Sequence, residues 1–113
     1  MVNIKPHIII QARMGSTRLP SKVMRKINGK PMIGHQIERL KKTNLPIIVA
    51  TSISEENNEL AEYLKSIGVN VFRGSEDNVL KRYYEAAKHF KAKQIIRITG
   101  DNPLIDPVFI KFK

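Results

Sequence analysis

The chain has 113 residues, the size of one small domain, and its 42% hydrophobic and 27% charged residues are typical of globular proteins. Its apolar runs are too short to cross a bilayer, and the absence of cysteine excludes disulfides and thiol chemistry and fits a cytoplasmic protein. The formal charge of +10 is concentrated in residues 1–42, where ten basic residues accompany one acid, Glu38. Such a focus suits a triphosphate or a nucleic-acid backbone, although a solvated basic surface would carry the same charge.

The first part of the chain predicts a strand, a polar loop and a helix. Residues 7–12 are a short, β-branched apolar run that is typical of a buried parallel strand, and the polar loop spans residues 13–22. The segment Asn28-Gly29-Lys30-Pro31 has the composition of a turn, and Pro31 suits the first position of a helix. The buried face of this helix is expected at Ile33, Ile37 and Leu40.

A second strand is predicted over residues 45–51, with a second helix after it. Ser54 can cap this helix, and Gly68 suits the position at which the helix ends. Its buried face is expected at Leu60, Leu64 and Ile67.

Two further strands are predicted over residues 69–72 and 94–99, with a third helix between them. Ser75 is the expected cap of that helix, and Pro107 is expected to begin a last short helix. The helical spacing predicts that Tyr84 lies at the boundary between the core and the surface. The inner face of the third helix is expected at Val79, Tyr83, Ala86 and Phe90.

This alternation of strands and helices predicts an α/β fold with a parallel sheet and helices on both faces. Ligands of such sheets bind outside the carboxyl ends of the strands. Two loops, residues 13–22 and 100–107, follow the first and fourth strands. Both are therefore expected at one edge of the sheet, which is where the chemistry should take place.

The first loop combines three cations with small residues. Gly15 allows the backbone to approach a ligand closely, and the amide groups from Gly15 to Thr17 could form an anion-binding concavity. Arg13, Arg18 and Lys22 can contact phosphate oxygens. The loop is neither a Walker loop nor a dinucleotide fingerprint, because the chain contains neither GxxxxGK[ST] nor GxGxxG. The alternative is a solvated basic loop that only joins two elements.

Five segments follow one another along nearly the whole chain: IIIQARMGSTRLP (8–20), NGKPM (28–32), IVAT (48–51), VFRGSED (71–77) and RITGDNPLIDP (97–107). Together, in this order, they resemble the cytidylyltransferases that make CMP-activated sugars, which include the acylneuraminate and Kdo enzymes. The resemblance is greatest to the branch of spore-coat polysaccharide biosynthesis. The Ala12-Arg13 pair is similar to the CMP-sugar branch, whereas general sugar nucleotidyltransferases look more like Ala-Ala-Gly-x-Gly here. Ser21 departs from the family, which often has Gly before the Lys.

The resemblance implies a Rossmann-like, three-layer α/β/α nucleotide-diphospho-sugar transferase fold, with residues 1–113 as its N-terminal, nucleotide-binding part. It also implies nucleotidyl transfer, in which a sugar hydroxyl attacks the α-phosphate of CTP and pyrophosphate leaves. Arg13 and Lys22 would be the catalytic residues. The nucleotide-binding residues would be Ala12, Gly15, Ser16, Arg18 and Arg73.

The resemblance also assigns a cofactor and a contact to the base. Asp101 would hold Mg²⁺, a hard ion that prefers oxygen ligands, and the alternative is an ordinary turn residue. Arg73 could read a cytosine carbonyl through its fork of donors, and a salt bridge with Glu76 or Asp77 is the alternative. Asp106 is interpreted as a helix cap.

Family enzymes continue beyond the RITGDNPLIDP segment into a sugar-binding half, whereas this chain has only a few residues after it. The expectation is therefore a truncated domain, and the alternative function is a catalytically inactive nucleotide-binding remnant. Its expected partners are CTP and a sugar, with a homodimer or association with a second half as further alternatives. Nucleic acid is not expected, because the chain lacks an aromatic stacking pattern and a recognition-helix signature.

Overall fold

The structure, a computed structural model, describes residues 6–12, 24–99 and 108–111, and describes Thr99 and residues 108–111 by their backbone alone. Within these ranges the main sheet has five strands. They are β1 (His7–Gln11), β4 (Ile47–Ser52), β5 (Asn70–Gly74), β6 (Gln94–Thr99) and β7 (Val108–Lys111). A small hairpin consists of β2 (Lys26–Ile27) and β3 (Lys30–Pro31). The helices are α1 (Met32–Leu40), α2 (Asn58–Ser66) and α3 (Val79–His89).

The order of the strands in the main sheet is β5-β4-β1-β6-β7. The first four are parallel, and β7 is antiparallel to β6. The predicted α/β fold with a parallel-dominated sheet is therefore confirmed. The prediction that a helix begins at Pro107 is wrong, because residues 108–111 form a strand that pairs with β6. Their sequence, VFIK, is β-branched and aromatic and so suits a strand.

One face of the sheet is covered by α1 and α2. Alternate residues of a strand point to opposite faces, so Ile8 and Ile10 of β1 point to the same side and Ile9 to the other. Ile8 and Ile10 pack with the buried faces of the two helices as predicted, since Ile33, Ile37, Leu40, Leu60 and Leu64 are all buried there. Ile67 is partly buried against this cluster, and Gly68 ends the helical region with a φ of 79°.

The other face is covered by α3, which lies over β1, β4 and β5. Tyr83 and Ala86 are buried against Ile9 and Ile48, and Phe90 is partly buried, as expected for an inner face. The prediction that Val79 lies on this inner face is wrong, because Val79 is the first residue of the helix and is 42% exposed.

Three helix starts differ from the sequence prediction. Pro31 belongs to β3 and precedes the helix, because Asn28 and Gly29, both with positive φ, close a two-residue hairpin turn before it. Ser54 precedes a short 3-10 turn, and its side chain makes no cap hydrogen bond. The cap of α3 is Asn78, whose side chain accepts from Lys81 N at 2.9 Å. No helix in the described part of the chain is long and apolar enough to span a membrane.

Candidate functional site

The four parallel strands bring their carboxyl ends to one edge of the sheet. Of these strands, β1 and β6 are direct neighbours, and their last residues, Gln11 and Thr99, are paired in register. Paired strands lie roughly 5 Å apart. The two loops that the sequence analysis selected, residues 13–22 and 100–107, therefore leave from adjacent strand ends.

Two of the predicted site residues are described by the structure. Ala12 is buried, and its N–H donates to the carbonyl of Ala50 at 3.1 Å, which extends the pairing of β1 with β4. Arg73 lies near the end of β5 on the far side of β4, so it is two strand spacings, roughly 10 Å, from β1. The remaining predicted site residues lie outside the described ranges, and their roles stay predictions: Arg13, Gly15, Ser16, Arg18, Lys22 and Asp101.

Arg73 ties the end of β5 to the loop that follows β4. Its Nε donates to the carbonyl of Ser52 at 3.0 Å, and its Nη2 donates to the carbonyl of Ser54 at 2.9 Å. Among the described residues it forms no salt bridge with Glu76 or Asp77, the alternative that the sequence left open. These two bonds occupy two of the five N–H groups of the guanidinium.

The same loop is fixed from inside by a buried asparagine that the sequence analysis missed. Asn57 Nδ2 donates to Ser52 Oγ at 2.6 Å, and Ser52 Oγ also accepts from Ser54 N at 3.2 Å. The preceding amide, Ile53 N, donates to the carbonyl of Gly74 at 3.1 Å. The carboxyl ends of β4 and β5 are thus held together by side-chain and backbone hydrogen bonds.

A second residue that sequence reasoning missed is Arg82, which is completely buried. Its Nε donates to Gln11 Oε1 at 3.2 Å, and its Nη1 donates to the carbonyls of Ser75 at 2.6 Å and Glu76 at 3.1 Å. Arg82 thereby joins the last residue of β1 to the β5–α3 loop. The signal was available in the helical period, because Arg82 lies four residues before the buried Ala86.

Two buried polar atoms near these strand ends have no hydrogen-bond partner among the described residues. They are Gln11 Nε2 and Thr51 Oγ1, whose residues are 9% and 0% exposed. Buried polar groups normally find partners. Ordered water, a ligand or residues outside the described ranges can supply such partners. No group of three or more His, Asp or Glu residues that could hold a metal lies within the described ranges.

Beside this edge, α3 and β6 bring a tyrosine and an arginine together. Burial raises the pKa of Tyr83 to about 12, so its hydroxyl stays protonated and donates to the carbonyl of Ile98 at 3.2 Å. The guanidinium of Arg97 lies over the Tyr83 ring at 5.0 Å from its centroid, a cation–π distance. At the other end of the sheet, burial lowers the pKa of His7.

Comparison with known proteins gives one family. The sequence model of the family described as cytidylyltransferase matches residues 7–112. The chain is 40% identical over 105 residues to the spore coat polysaccharide biosynthesis protein SpsF of Bacillus subtilis, which covers 88% of this chain and 44% of that protein.

Two solved structures are similar in fold and in sequence. A cytidylyltransferase from Leptospira borgpetersenii superposes with a TM-score of 0.84 and 42% identity over 92% of this chain and 44% of its own. A CMP:2-keto-3-deoxy-manno-octonic acid synthetase complexed with CTP superposes with a TM-score of 0.76 and 31% identity over 89% and 42%. The chain therefore spans less than half the length of each of these relatives.

Proposed function

Because the chain belongs to the cytidylyltransferase family, we propose that it supplies the nucleotide-binding half of an enzyme that transfers a cytidylyl group from CTP to a sugar. The observation that carries this proposal is the pairing of β1 with β6, which starts loops 13–22 and 100–107 from neighbouring strand ends. A basic loop and a loop with a carboxylate at one edge suit a triphosphate with its metal ion.

The proposed reaction forms one bond and breaks one bond. An oxygen of the sugar hydroxyl attacks the α-phosphorus of CTP, the bond to the β-phosphate oxygen breaks, and pyrophosphate leaves. Arg13 and Lys22 would act in catalysis by neutralising charge that develops on the departing pyrophosphate. Arg18 and the amide groups near Gly15 and Ser16 would hold the phosphates in position.

A magnesium ion is the proposed cofactor, with Asp101 as a ligand to it. Mg²⁺ is bound by oxygen atoms and commonly by one or two carboxylates together with substrate phosphates. When bound, it would neutralise charge on the phosphate oxygens. Arg73 remains the proposed contact to the cytosine, and its hydrogen bonds to Ser52 and Ser54 give it a second role in holding the loop after β4.

The proposed acceptor is a sugar of surface or spore-coat polysaccharide. This rests on the names of two relatives, the B. subtilis spore-coat protein and the octonic acid synthetase. We place the reaction in the cytoplasm, a proposal that the absence of cysteine supports.

The partial coverage of the relatives favours a second candidate function. The matched region is only 44% of the B. subtilis protein. We therefore expect the 113-residue chain by itself to bind nucleotide without turnover, as a nucleotide-binding module.

The test is a calorimetric titration of the 113-residue chain with the magnesium complexes of CTP, UTP, ATP and GTP. CTP should bind most tightly. Arg13→Ala should weaken CTP binding by about tenfold or more, because a lost charge-assisted hydrogen bond costs about 1.5–3 kcal/mol. Asp101→Asn should also weaken the binding of the magnesium complex, because the neutral amide replaces the proposed carboxylate ligand. Lys88→Ala is the matched control, since it removes an exposed cation near the other end of α3 and should leave the affinity unchanged.

Arg73→Lys separates the two roles of this residue in the same titration. A loss of affinity for CTP alone would assign Arg73 to the base, and an equal loss of affinity for all four nucleotides would assign it to the loop.

Equal affinity of the unaltered chain for all four nucleotides would contradict a cytidine-specific site. Pyrophosphate release from CTP with a panel of sugars should be absent. Release that Asp101→Asn abolishes would instead show that the chain alone is an enzyme.

A further inference from the structure

The proposed nucleotide site draws on two segments whose strands do not pair with each other. The phosphate segment, residues 12–22, follows the last residue of β1. The base segment, residues 73–76, runs from the end of β5 into the β5–α3 loop. Because β4 lies between β1 and β5 in the sheet, a nucleotide that contacts both segments depends on whatever fixes the distance between them.

A single buried side chain bridges these two segments. Arg82, which is completely buried on α3, donates from Nε to Oε1 of Gln11, the residue directly before the phosphate segment, at 3.2 Å. From Nη1 it donates to two carbonyls of the base segment, that of Ser75 at 2.6 Å and that of Glu76 at 3.1 Å. The guanidinium is planar and rigid, so these three bonds hold their acceptors in one arrangement.

The end of β5 leaves room for this side chain. Gly74 lies against the stem of Arg82, and a Cβ at this glycine would lie 3.3 Å from Arg82 Cγ and 2.9 Å from Phe72 Cε2. The residue after Arg82 acts on another strand, because the Tyr83 hydroxyl donates to the carbonyl of Ile98 in β6. Successive residues of α3 thus anchor the carboxyl ends of β1 and β6, the strands that precede the two proposed loops.

We propose that Arg82 is a positioning residue of the nucleotide site, which holds the phosphate segment and the base segment at the separation that one CTP molecule spans, an inference that rests on the proposed function. Such a role differs from a contribution to stability. A positioning residue affects a ligand that contacts both segments far more than a ligand that contacts only one. Cytidine and tripolyphosphate are suitable one-segment ligands, since each corresponds to one end of CTP.

The test is a titration of the 113-residue chain with CTP, with cytidine and with tripolyphosphate, each in the presence of magnesium. Arg82→Met removes the three donated bonds and keeps an unbranched side chain. It should weaken CTP binding by about tenfold or more, and the binding of cytidine and of tripolyphosphate by less than about twofold each, because only CTP needs both segments at one spacing. Arg82→Lys keeps the charge without the planar fork and should recover part of the CTP affinity.

Two further variants separate the bridge from charge and from folding. Lys81→Met removes the exposed cation directly before Arg82, and all three affinities should stay within about twofold, because an exposed charge is screened by salt. Gln11→Met removes the acceptor on the phosphate side and should reproduce the pattern of Arg82→Met, which keeps the role testable if Arg82→Met does not fold. Thermal unfolding sets a titration temperature at which each variant is folded.

The outcomes distinguish the positioning role from the proposed function. A loss of CTP affinity that equals the loss for tripolyphosphate would overturn the positioning role, because the buried charge would then act on the phosphates from a distance. An unchanged CTP affinity in Arg82→Met would also overturn it, and the proposed function would stand if the unaltered chain still prefers CTP. An unaltered chain that binds none of the three ligands would contradict the proposed function and the positioning role together.

Discussion

The two faces of the sheet are built from the same strands but in different ways. On the α1–α2 face, aliphatic side chains fill a closed core, and Ile10, Ile33, Leu60 and Leu64 are all completely buried. On the α3 face, small alanines pack around Tyr83, and a completely buried arginine crosses to the end of β1. Beside this helix lies an apolar groove of about 500 Å³, whose lining includes Leu80, Tyr84 and Arg97.

The two faces therefore hold one small domain together in different ways. The α1–α2 face has a hydrophobic core, whose stabilisation is non-directional and depends on apolar area. The α3 face uses directional hydrogen bonds, and these hold Gln11, the β5–α3 loop and Ile98 in fixed relation. Directional bonds of this kind can position the strand ends from which the proposed catalytic loops leave.

The largest expected effect is on the closed face. Leu64→Ala should lower the free energy of unfolding by about 2–5 kcal/mol, because it leaves a cavity among fully buried neighbours. Leu80→Ala removes the same atoms from the open face, where the side chain is 66% exposed, and should cost less than about 0.5 kcal/mol. Urea denaturation measures both. Similar losses for the two variants would mean that Leu80 is buried in solution.

A smaller loss is expected from the buried arginine of the α3 face. Arg82→Met should cost about 1.5–3 kcal/mol, because it removes the charged donor from Gln11 Oε1 and from the carbonyls of Ser75 and Glu76. Arg82→Lys keeps the charge without the planar fork and should lie between Met and the unaltered chain. Thermal unfolding compares the three. A methionine variant as stable as the parent would show that these bonds add no net stability.

The smallest effect is a pH dependence of the same face. The pKa of Tyr83 in the folded chain is about 12, above the ordinary value of 10.0, so folding favours the protonated hydroxyl. Its contribution to stability is complete below pH 10 and is lost as the pH rises from 10 towards 12. At pH 11 the unfolding free energy should be about 1.4 kcal/mol lower from this residue than at pH 8.

Tyr83→Phe is the control for this pH dependence, because phenylalanine keeps the ring and removes the titrating group. The difference in unfolding free energy between the unaltered chain and Tyr83→Phe should shrink by about 1.4 kcal/mol between pH 8 and pH 11. A constant difference over that range would place the Tyr83 hydroxyl in contact with water.

Much of the fold could be predicted from local patterns. The spacing of Ile33, Ile37 and Leu40 places the buried face of α1, and QIIRIT gives β6 its observed bounds. Gly68 ends the α2 region because glycine adopts a positive φ without a Cβ clash. Errors arose where two local signals compete, as at Ser75 and Asn78, since both can cap a helix and only the position of α3 on the sheet selects one.

For the site, the sequence by itself determined which residues carry charge and which strands precede the two loops, because composition and strand periodicity are local properties. Only the tertiary structure decided that β1 and β6 are neighbours, that Arg82 is buried against Gln11, and that residues 108–111 form a strand. It also decided that Arg73 binds the carbonyls of Ser52 and Ser54 and not a neighbouring acid. These outcomes depend on contacts between residues far apart in the chain, since the packing of the sheet selects one partner among several that local sequence allows.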